Sequence, residues 1–175
     1  MASELGVQTI QHTNGTDAMN IDSNGVVTRP VIPAWRVTAK HDDRDSTGAK
    51  PVEWTTTTDN NDNRRYLLGG VTQGGTDPAN HEFTVPVTGL YQINVNMRVD
   101  EVGGGYVYML LQVNNSTVTD GYSIEGTPSG SYQTMNISEV YYLEANDRVQ
   151  VQVGTNSDTS YEIDGNSTIS GALIG

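Results

Sequence analysis

The chain has 175 residues, of which 9 are lysine or arginine and 21 are aspartate or glutamate, giving a formal net charge of -12 at pH 7. This charge argues against nucleic-acid binding through phosphate contacts and suits a soluble particle that must not aggregate. The absence of cysteine excludes disulfide bonds, zinc-thiolate sites and a cysteine nucleophile.

Residues 1–31 differ in pattern from the rest of the chain. They lack the basic and apolar regions of a signal peptide, and no apolar run in the chain approaches the length of a membrane span. Two Asn-Gly pairs, Asn14-Gly15 and Asn24-Gly25, separate short extended pieces and predict hairpins. A meander with so few apolar side chains is marginal alone. We therefore expect an attachment segment that packs on copies of itself, on the main domain or on another protein.

Residues 32–175 are predicted to form the main domain, entered through the stiff connector Arg29–Pro33. Strand candidates are Ala34–Thr38 and Val52–Thr58, with a polar loop at His41–Gly48 between them. The stretch Val71–Asn80 is rich in glycine and is predicted to be mobile. After it, Tyr91–Val99 alternates strictly between apolar and polar residues, which predicts a long central strand with one buried face.

Tyr106–Val113 is apolar at consecutive positions, so both of its faces are predicted to be covered, one by the sandwich core and one by a neighbouring subunit or a ligand. Further strand candidates are Ser116–Ile124, Tyr132–Leu143, Arg148–Val153 and Ser167–Ile174. Eight to ten strands, separated by turn signals at 8–12-residue spacing, predict an all-β sandwich or barrel.

Four segments of the main domain resemble the C1q/TNF-like jelly-roll family. Those segments are Phe83-x-Val-Pro86-x-x-Gly89-x-Tyr91, Pro33-Ala34-Trp35, Leu143-Glu-Ala-Asn-Asp147-x-Val149 and Ser167-Thr-Ile-Ser-Gly171-x-Leu173-Ile174. Asn146 stands where the family has glycine, and Asn tolerates a positive φ better than most residues do. The resemblance implies a jelly roll of about ten antiparallel strands that forms a homotrimer and binds through its loops, usually without catalysis. The residues expected at the trimer interface are Tyr106, Tyr108, Leu110 and Tyr142.

Residues 10–26 resemble segments of phage tail-fibre and virion proteins that precede C-terminal recognition domains. This resemblance favours a virion structural protein that is assembled in the host cytoplasm, with residues 1–31 docking it to other virion proteins. The expected targets of the displayed loops are a glycan or a protein of the host surface. A soluble C1q-like lectin or ligand-binding module of cellular origin is the alternative.

Candidate catalytic and metal residues are few. The histidines His12, His41 and His81 lie in different segments, and no Gly-x-Ser-x-Gly elbow marks a nucleophile, so we expect no enzyme. The aspartates Asp42, Asp43 and Asp45, and separately Asp59 and Asp62, could attract Ca²⁺. The sequence favours solvated acidic loops at these positions, and we expect no cofactor that the protein requires.

Overall fold

The computed structural model describes residues 8–11, 17–28, 32–44, 47–55, 65–76, 78–100, 102, 105–125, 132–156 and 160–175, with only the backbone at residues 17, 18, 20, 28 and 120–125. The chain divides into two compact units, Met1–Ile32 and Pro33–Gly175. Every regular element in the described residues is a β-strand, and no helix among them is long and apolar enough to cross a membrane. The predicted all-β class is confirmed.

The first unit contains three strands, β1 (Thr9–Gln11), β2 (Asp17–Ile21) and β3 (Val27–Thr28). They form an antiparallel sheet in the order β1–β2–β3. In the turn between β2 and β3, the Asp22 carboxylate accepts hydrogen bonds from the backbone N–H groups of Asn24, at 2.8 Å, and Val26, at 2.9 Å. Gly25 has a φ of 79°, which glycine adopts without a Cβ clash. The Asn24-Gly25 hairpin is confirmed, whereas Asn14, Gly15 and His12 lie outside the described residues.

The second unit is a sandwich of two antiparallel sheets. Its strands are β4 (Ala34–Thr38), β5 (Asp42–Arg44), β6 (Gly48–Pro51), β7 (Tyr66–Leu68), β8 (Thr72–Thr76), β9 (Ala79–Thr84), β10 (Gly89–Asp100), β11 (Tyr106–Val113), β12 (Ser116–Glu125), β13 (Gln133–Leu143), β14 (Arg148–Thr155), β15 (Tyr161–Ile163) and β16 (Thr168–Leu173). The first sheet has the order β5–β15–β10–β16–β4–β7, and β13 also pairs with β10. The second sheet has the order β12–β11–β14–β9–β8, and β6 also pairs with β14.

The strand β10 is central in the seven-stranded sheet, as its alternation predicted. It pairs with β13 from Gly89 opposite Leu143 to Val99 opposite Gln133, and on its other edge with β16 and then β15. The odd-numbered side chains from Tyr91 to Val99 are buried. Burying them gives this strand its fixed register, because a slip by one residue would expose all of them.

Aromatic side chains fill the centre of the core between the two sheets. The Trp35 ring stacks on Phe83 with ring centroids 5.7 Å apart and lies 6.2 Å from the Tyr91 ring. Gly171 lies opposite Trp35 in the β16–β4 ladder, and a Cβ there would collide with the indole. Asn146 takes a φ of 77°, so it replaces the family glycine in the way that its tolerance of positive φ predicted.

Three local predictions were wrong. The segment predicted to be a mobile glycine-rich stretch contains β8, because Gly75, with a φ of 111°, lets the strand lie against the His81 ring. The predicted polar loop at His41–Gly48 contains β5, which pairs with β15. The predicted strand Val52–Thr58 is instead the earlier strand β6 followed by a single bridge at Trp54, and residues 56–58 lie outside the described part. With these short strands, the second unit has thirteen strands in its described residues.

Candidate functional site

The candidate site is the face of the seven-stranded sheet that points away from the core, called the outer face below. Side chains alternate along each strand and directly opposed residues share a face, so the ladder pairs define its rows. One row runs from Tyr142 on β13 to Leu90 on β10. The next row crosses five strands, and its members are Val140, Gln92, Ala172, Ala34 and Leu68.

One end of the outer face is apolar and exposed. Tyr142 exposes 59% of its surface, Ile174 57%, Val140 50%, and Leu90 and Leu68 each 42%. Ile174 lies beside Leu90, because its backbone N–H donates to the Leu90 carbonyl at 2.8 Å. These five residues, called the apolar end, come from three strands and the C-terminal segment. Exposed apolar surface mostly gathered at one end of a sheet face marks a candidate interaction site in a soluble protein.

The middle of the outer face carries neutral polar side chains that bond to one another across the β10–β13 ladder. Asn96 Nδ2 donates to Asn136 Oδ1 at 2.8 Å, and Ser138 Oγ donates to Asn94 Oδ1 at 2.8 Å. Gln92 Nε2 donates to Ser138 Oγ at 3.2 Å. Amide side chains retain further donors and acceptors, so this zone can also hydrogen-bond to a partner surface.

The far end of the outer face is acidic. Asp43 on β5, Glu162 on β15 and Asp100 on β10 occupy one row across three strands. Arg98 lies two residues from Asp100, with its guanidinium 4.1 Å above the Tyr132 ring centroid and its Nη1 3.8 Å from Asp164 Oδ1. Asp100 and Leu90 stand at opposite ends of β10, about 33 Å apart along the strand. The outer face therefore grades from apolar through neutral polar to acidic.

Comparison with protein-family models matched the C1q domain over residues 72–174. This match spans more than half of the chain. The chain belongs to the C1q domain family. C1q domains typically form homotrimers and bind ligands, generally without catalysis. A comparison with curated proteins found no match. The jelly-roll resemblance is thus confirmed, while the likeness of residues 10–26 to phage tail-fibre segments stays a prediction.

The four residues predicted at the trimer interface are divided by the C1q fold between two surfaces. Tyr142 lies at the apolar end, whereas Tyr106, Tyr108 and Leu110 lie on β11, in the other sheet. There Val107, Met109 and Leu111 are buried in the core, and the Tyr106 and Tyr108 rings contact each other at 6.1 Å on the opposite side of the strand. Tyr106 is 40% exposed, and Tyr108 and Leu110 are half-buried. The structure does not bring these three residues together with Tyr142.

The predicted aspartates also separate. Asp42 Oδ2 accepts a hydrogen bond from Arg44 Nε at 2.6 Å, Asp43 points to the outer face, and Asp45, Asp59 and Asp62 lie outside the described residues. The structure groups Asp43 instead with His41 and Glu162, whose potential ligand atoms lie within 4.8 Å of one another. His41 Nδ1 is 3.1 Å from Glu162 Oε1 and His41 Nε2 is 3.5 Å from Asp43 Oδ1. Imidazole with carboxylates is a donor set for zinc-like ions more than for Ca²⁺.

Sequence reasoning missed Arg44, which fastens the two sheets together. The Arg44 guanidinium is buried and donates from Nη1 to the carbonyls of Lys50, at 3.0 Å, and Val153, at 3.2 Å, and from Nη2 to the carbonyl of Pro51, at 2.7 Å. Beside it, the Tyr161 hydroxyl donates to the same Val153 carbonyl at 3.0 Å. Burial raises the pKa of Tyr161, and the neighbouring Arg44 charge opposes part of that rise. Nothing in the residues around Arg44 distinguishes it from a solvated loop arginine.

The described histidines lie in structural contacts. His81 Nδ1 contacts the Pro78 carbonyl, its Nε2 is 3.6 Å from Glu82 Oε1, and the ring lies against Gly75. His41 stands between the two carboxylates named above. Neither arrangement presents the nucleophile, base and orienting group that acyl-transfer catalysis requires.

Proposed function

We propose that this protein is a non-enzymatic bacteriophage virion structural protein, a head or tail fibre or a capsid-decorating appendage. Its C1q domain forms a homotrimer that displays loops for surface recognition or decoration. Residues 1–31 attach the trimer to other virion proteins. The observation that carries the proposal is the graded outer face, which a single chain leaves uncovered.

Three copies can cover the outer face of one another. The apolar end gains most from burial, because each large apolar side chain contributes about 1.5–3 kcal/mol when it is fully buried. The neutral amides of the middle zone can pair between copies without the cost of burying a charge. The acidic row limits how far the contact extends, since three copies of the exposed Asp43 and the half-buried Glu162 would repel one another if they were brought together without a cation. The apolar end therefore sets the position of the subunit contact.

Four features support the virion assignment. The chain lacks cysteine and carries a net charge of -12, which suits assembly in a reducing cytoplasm and a particle that stays dispersed. Its first unit is a small sheet with no buried residue in its described part, as expected for a segment that folds against a partner. Residues 10–26 resemble phage tail-fibre segments.

Mass spectrometry of purified particles tests the virion assignment directly. We expect the protein in stoichiometric amounts on particles after salt and detergent washes, and no binding of the isolated full-length chain to particles that already carry it. If purified particles lack the protein while the chain binds defined sugars on a glycan array, the virion assignment is wrong and the alternative, a soluble C1q-like lectin, replaces it.

A further inference from the structure

In the described residues of the first unit, the small sheet has one apolar face whose side chains are exposed or half-buried. Ile10 lies opposite Met19 in the β1–β2 ladder, and Ile21 lies opposite Val27 in the β2–β3 ladder. Met19 and Ile21 are two residues apart on β2, so all four side chains point to the same side. We call this set, Ile10, Met19, Ile21 and Val27, the meander face.

None of the four side chains is buried within the unit. Ile10 and Val27 expose 48% and 50% of their surfaces, and Met19 and Ile21 are half-buried. The turn beyond the face is well formed, because Asp22 accepts two backbone N–H groups and Gly25 N–H donates to the Asp22 carbonyl at 3.0 Å. Backbone hydrogen bonds thus set the register, but a three-stranded sheet needs its apolar face covered to be stable.

We propose that the meander faces of the three chains in one trimer pack against one another, so that the first units fuse into a single base. This inference rests on the homotrimer of the proposed function. It goes beyond that function by naming the occupant of the face as two further copies of the same unit.

Tethering favours copies of the chain over any other occupant. The first unit ends at Ile32 and the second begins at Pro33, and this direct covalent connection keeps the three first units of a trimer at a local concentration on the order of millimolar. Another protein would have to displace neighbours that are already present at that concentration.

The charges of the first unit also permit the contact. Within residues 1–32 the acidic residues are Glu4, Asp17 and Asp22 and the basic residue is Arg29, so this unit carries little of the net charge of -12. Like-charge repulsion therefore opposes a contact between first units far less than it would between the acidic rows of the outer face. In this arrangement the base formed by three first units, rather than a single first unit, docks to the particle.

Two neighbouring valines give a matched pair of probes on the full-length chain. Val27 belongs to the meander face, whereas Val26, opposite Asp22 in the turn, alternates to the other side. Their exposed fractions are nearly equal, 50% and 54%, and the native chain has no cysteine. The variants Val27→Cys and Val26→Cys are treated with a short bis-maleimide, and cross-linked dimers are followed by denaturing electrophoresis after light scattering has confirmed the oligomer.

The expected result is that Val27→Cys forms dimers roughly tenfold faster than Val26→Cys, at a rate independent of dilution, because its thiols are held together within one trimer. Hydrogen exchange gives a second measurement, in which Val27→Asn loses amide protection in residues 9–28 while Val26→Asn keeps it. A trimer in which both cysteine variants cross-link equally, or neither does, overturns the inference and leaves the proposed trimer standing. The inference is also overturned if the Val27→Cys thiol reacts freely with the maleimide in the isolated trimer and is protected from it only on particles, since another virion protein then covers the face. A chain that is monomeric throughout overturns the proposed trimer itself.

Discussion

Replacing Tyr142 by asparagine removes the most exposed aromatic side chain of the apolar end. Tyr142 exposes 59% of its surface, and for an aromatic side chain of roughly 200 Å² this leaves about 120 Å² to be covered by a neighbour. At about 25 cal/mol per Å² the loss on substitution is about 3 kcal/mol per chain, or about 2–3 kcal/mol with allowance for the hydroxyl. Three chains per trimer lose about 6–9 kcal/mol in total.

Because trimer formation depends on the square of the free chain concentration, this loss raises the concentration at which half of the trimer dissociates by roughly 100- to 1,000-fold. Sedimentation velocity over a dilution series measures that concentration for the native chain and the variant. The matched control is Tyr106→Asn, a tyrosine 40% exposed on the other sheet, which should leave the midpoint unchanged. Dissociation of Tyr106→Asn together with an unchanged Tyr142→Asn trimer would refute the reasoning and move the subunit contact to β11.

Three further predictions follow from the contacts of the second unit. Arg44→Met should lower the free energy of unfolding by about 2–4 kcal/mol, because it removes the guanidinium donor from the Lys50 and Pro51 carbonyls and leaves the buried Val153 carbonyl with the Tyr161 hydroxyl. Denaturant unfolding measures this loss. Burial raises the pKa of Tyr161, so the neutral phenol is favoured in the folded state. The stability that Tyr161 contributes is therefore fully present below its unfolded pKa of about 10, and it is lost as the pH rises through the folded pKa. The urea midpoint of unfolding should accordingly fall less with alkaline pH in Tyr161→Phe than in the native chain. EDTA should leave the trimer intact by light scattering, because the apolar end holds it without charged side chains.

Each of these predictions has its own control. Arg148→Met is the comparison for Arg44→Met, since the Arg148 side chain is 44% exposed and pairs with Glu82 at 3.2 Å, and ion pairs of a solvent-exposed arginine contribute little. Equal losses of stability from the two variants would count against the Arg44 contacts. If the urea midpoint falls equally with alkaline pH in Tyr161→Phe and in the native chain, groups other than Tyr161 cause the pH dependence of stability. Dissociation by EDTA that Zn²⁺ reverses would place a metal at His41, Asp43 and Glu162 in the assembly.

Strands with strict alternation were predictable from the sequence because their pattern reports burial directly. The β10 strand shows an apolar residue at every second position from Tyr91 to Val99, and each of these is buried. The Asn24-Gly25 turn was predictable for a different reason, since its chemistry is local. Both kinds of signal depend on residues close together in the chain.

Apart from Tyr142, the residues of the apolar end were not predictable, because this surface forms only once the register of several strands is known. Leu90, Val140 and Ile174 lie in separate segments of the chain, and ladder pairing brings them onto one surface. Leu90 did carry a weak signal of an exposed apolar site, since it stands at an even-numbered position of β10, where the other residues are polar. The interface role of Tyr106, Tyr108 and Leu110 stays a prediction, because the pattern of Tyr106–Val113 alone does not show whether these side chains face a partner.

Arg44 shows most clearly what could not be predicted from the sequence. In sequence it sits among three aspartates and suggests a solvated loop, yet its Nη1 donates to the carbonyl of Val153, 109 residues away. Burial of an arginine depends on which carbonyls surround it, and distant strands supply those here.

The solution mass of the full-length chain by light scattering tests the central claim most directly, namely that a homotrimer covers the outer face. The account predicts three times the chain mass of 18.9 kDa over a wide concentration range, with dissociation when Tyr142 and Leu90 are both replaced by asparagine. A mass of one chain at all concentrations would contradict the account, since the apolar end would then be exposed without a partner of its own kind.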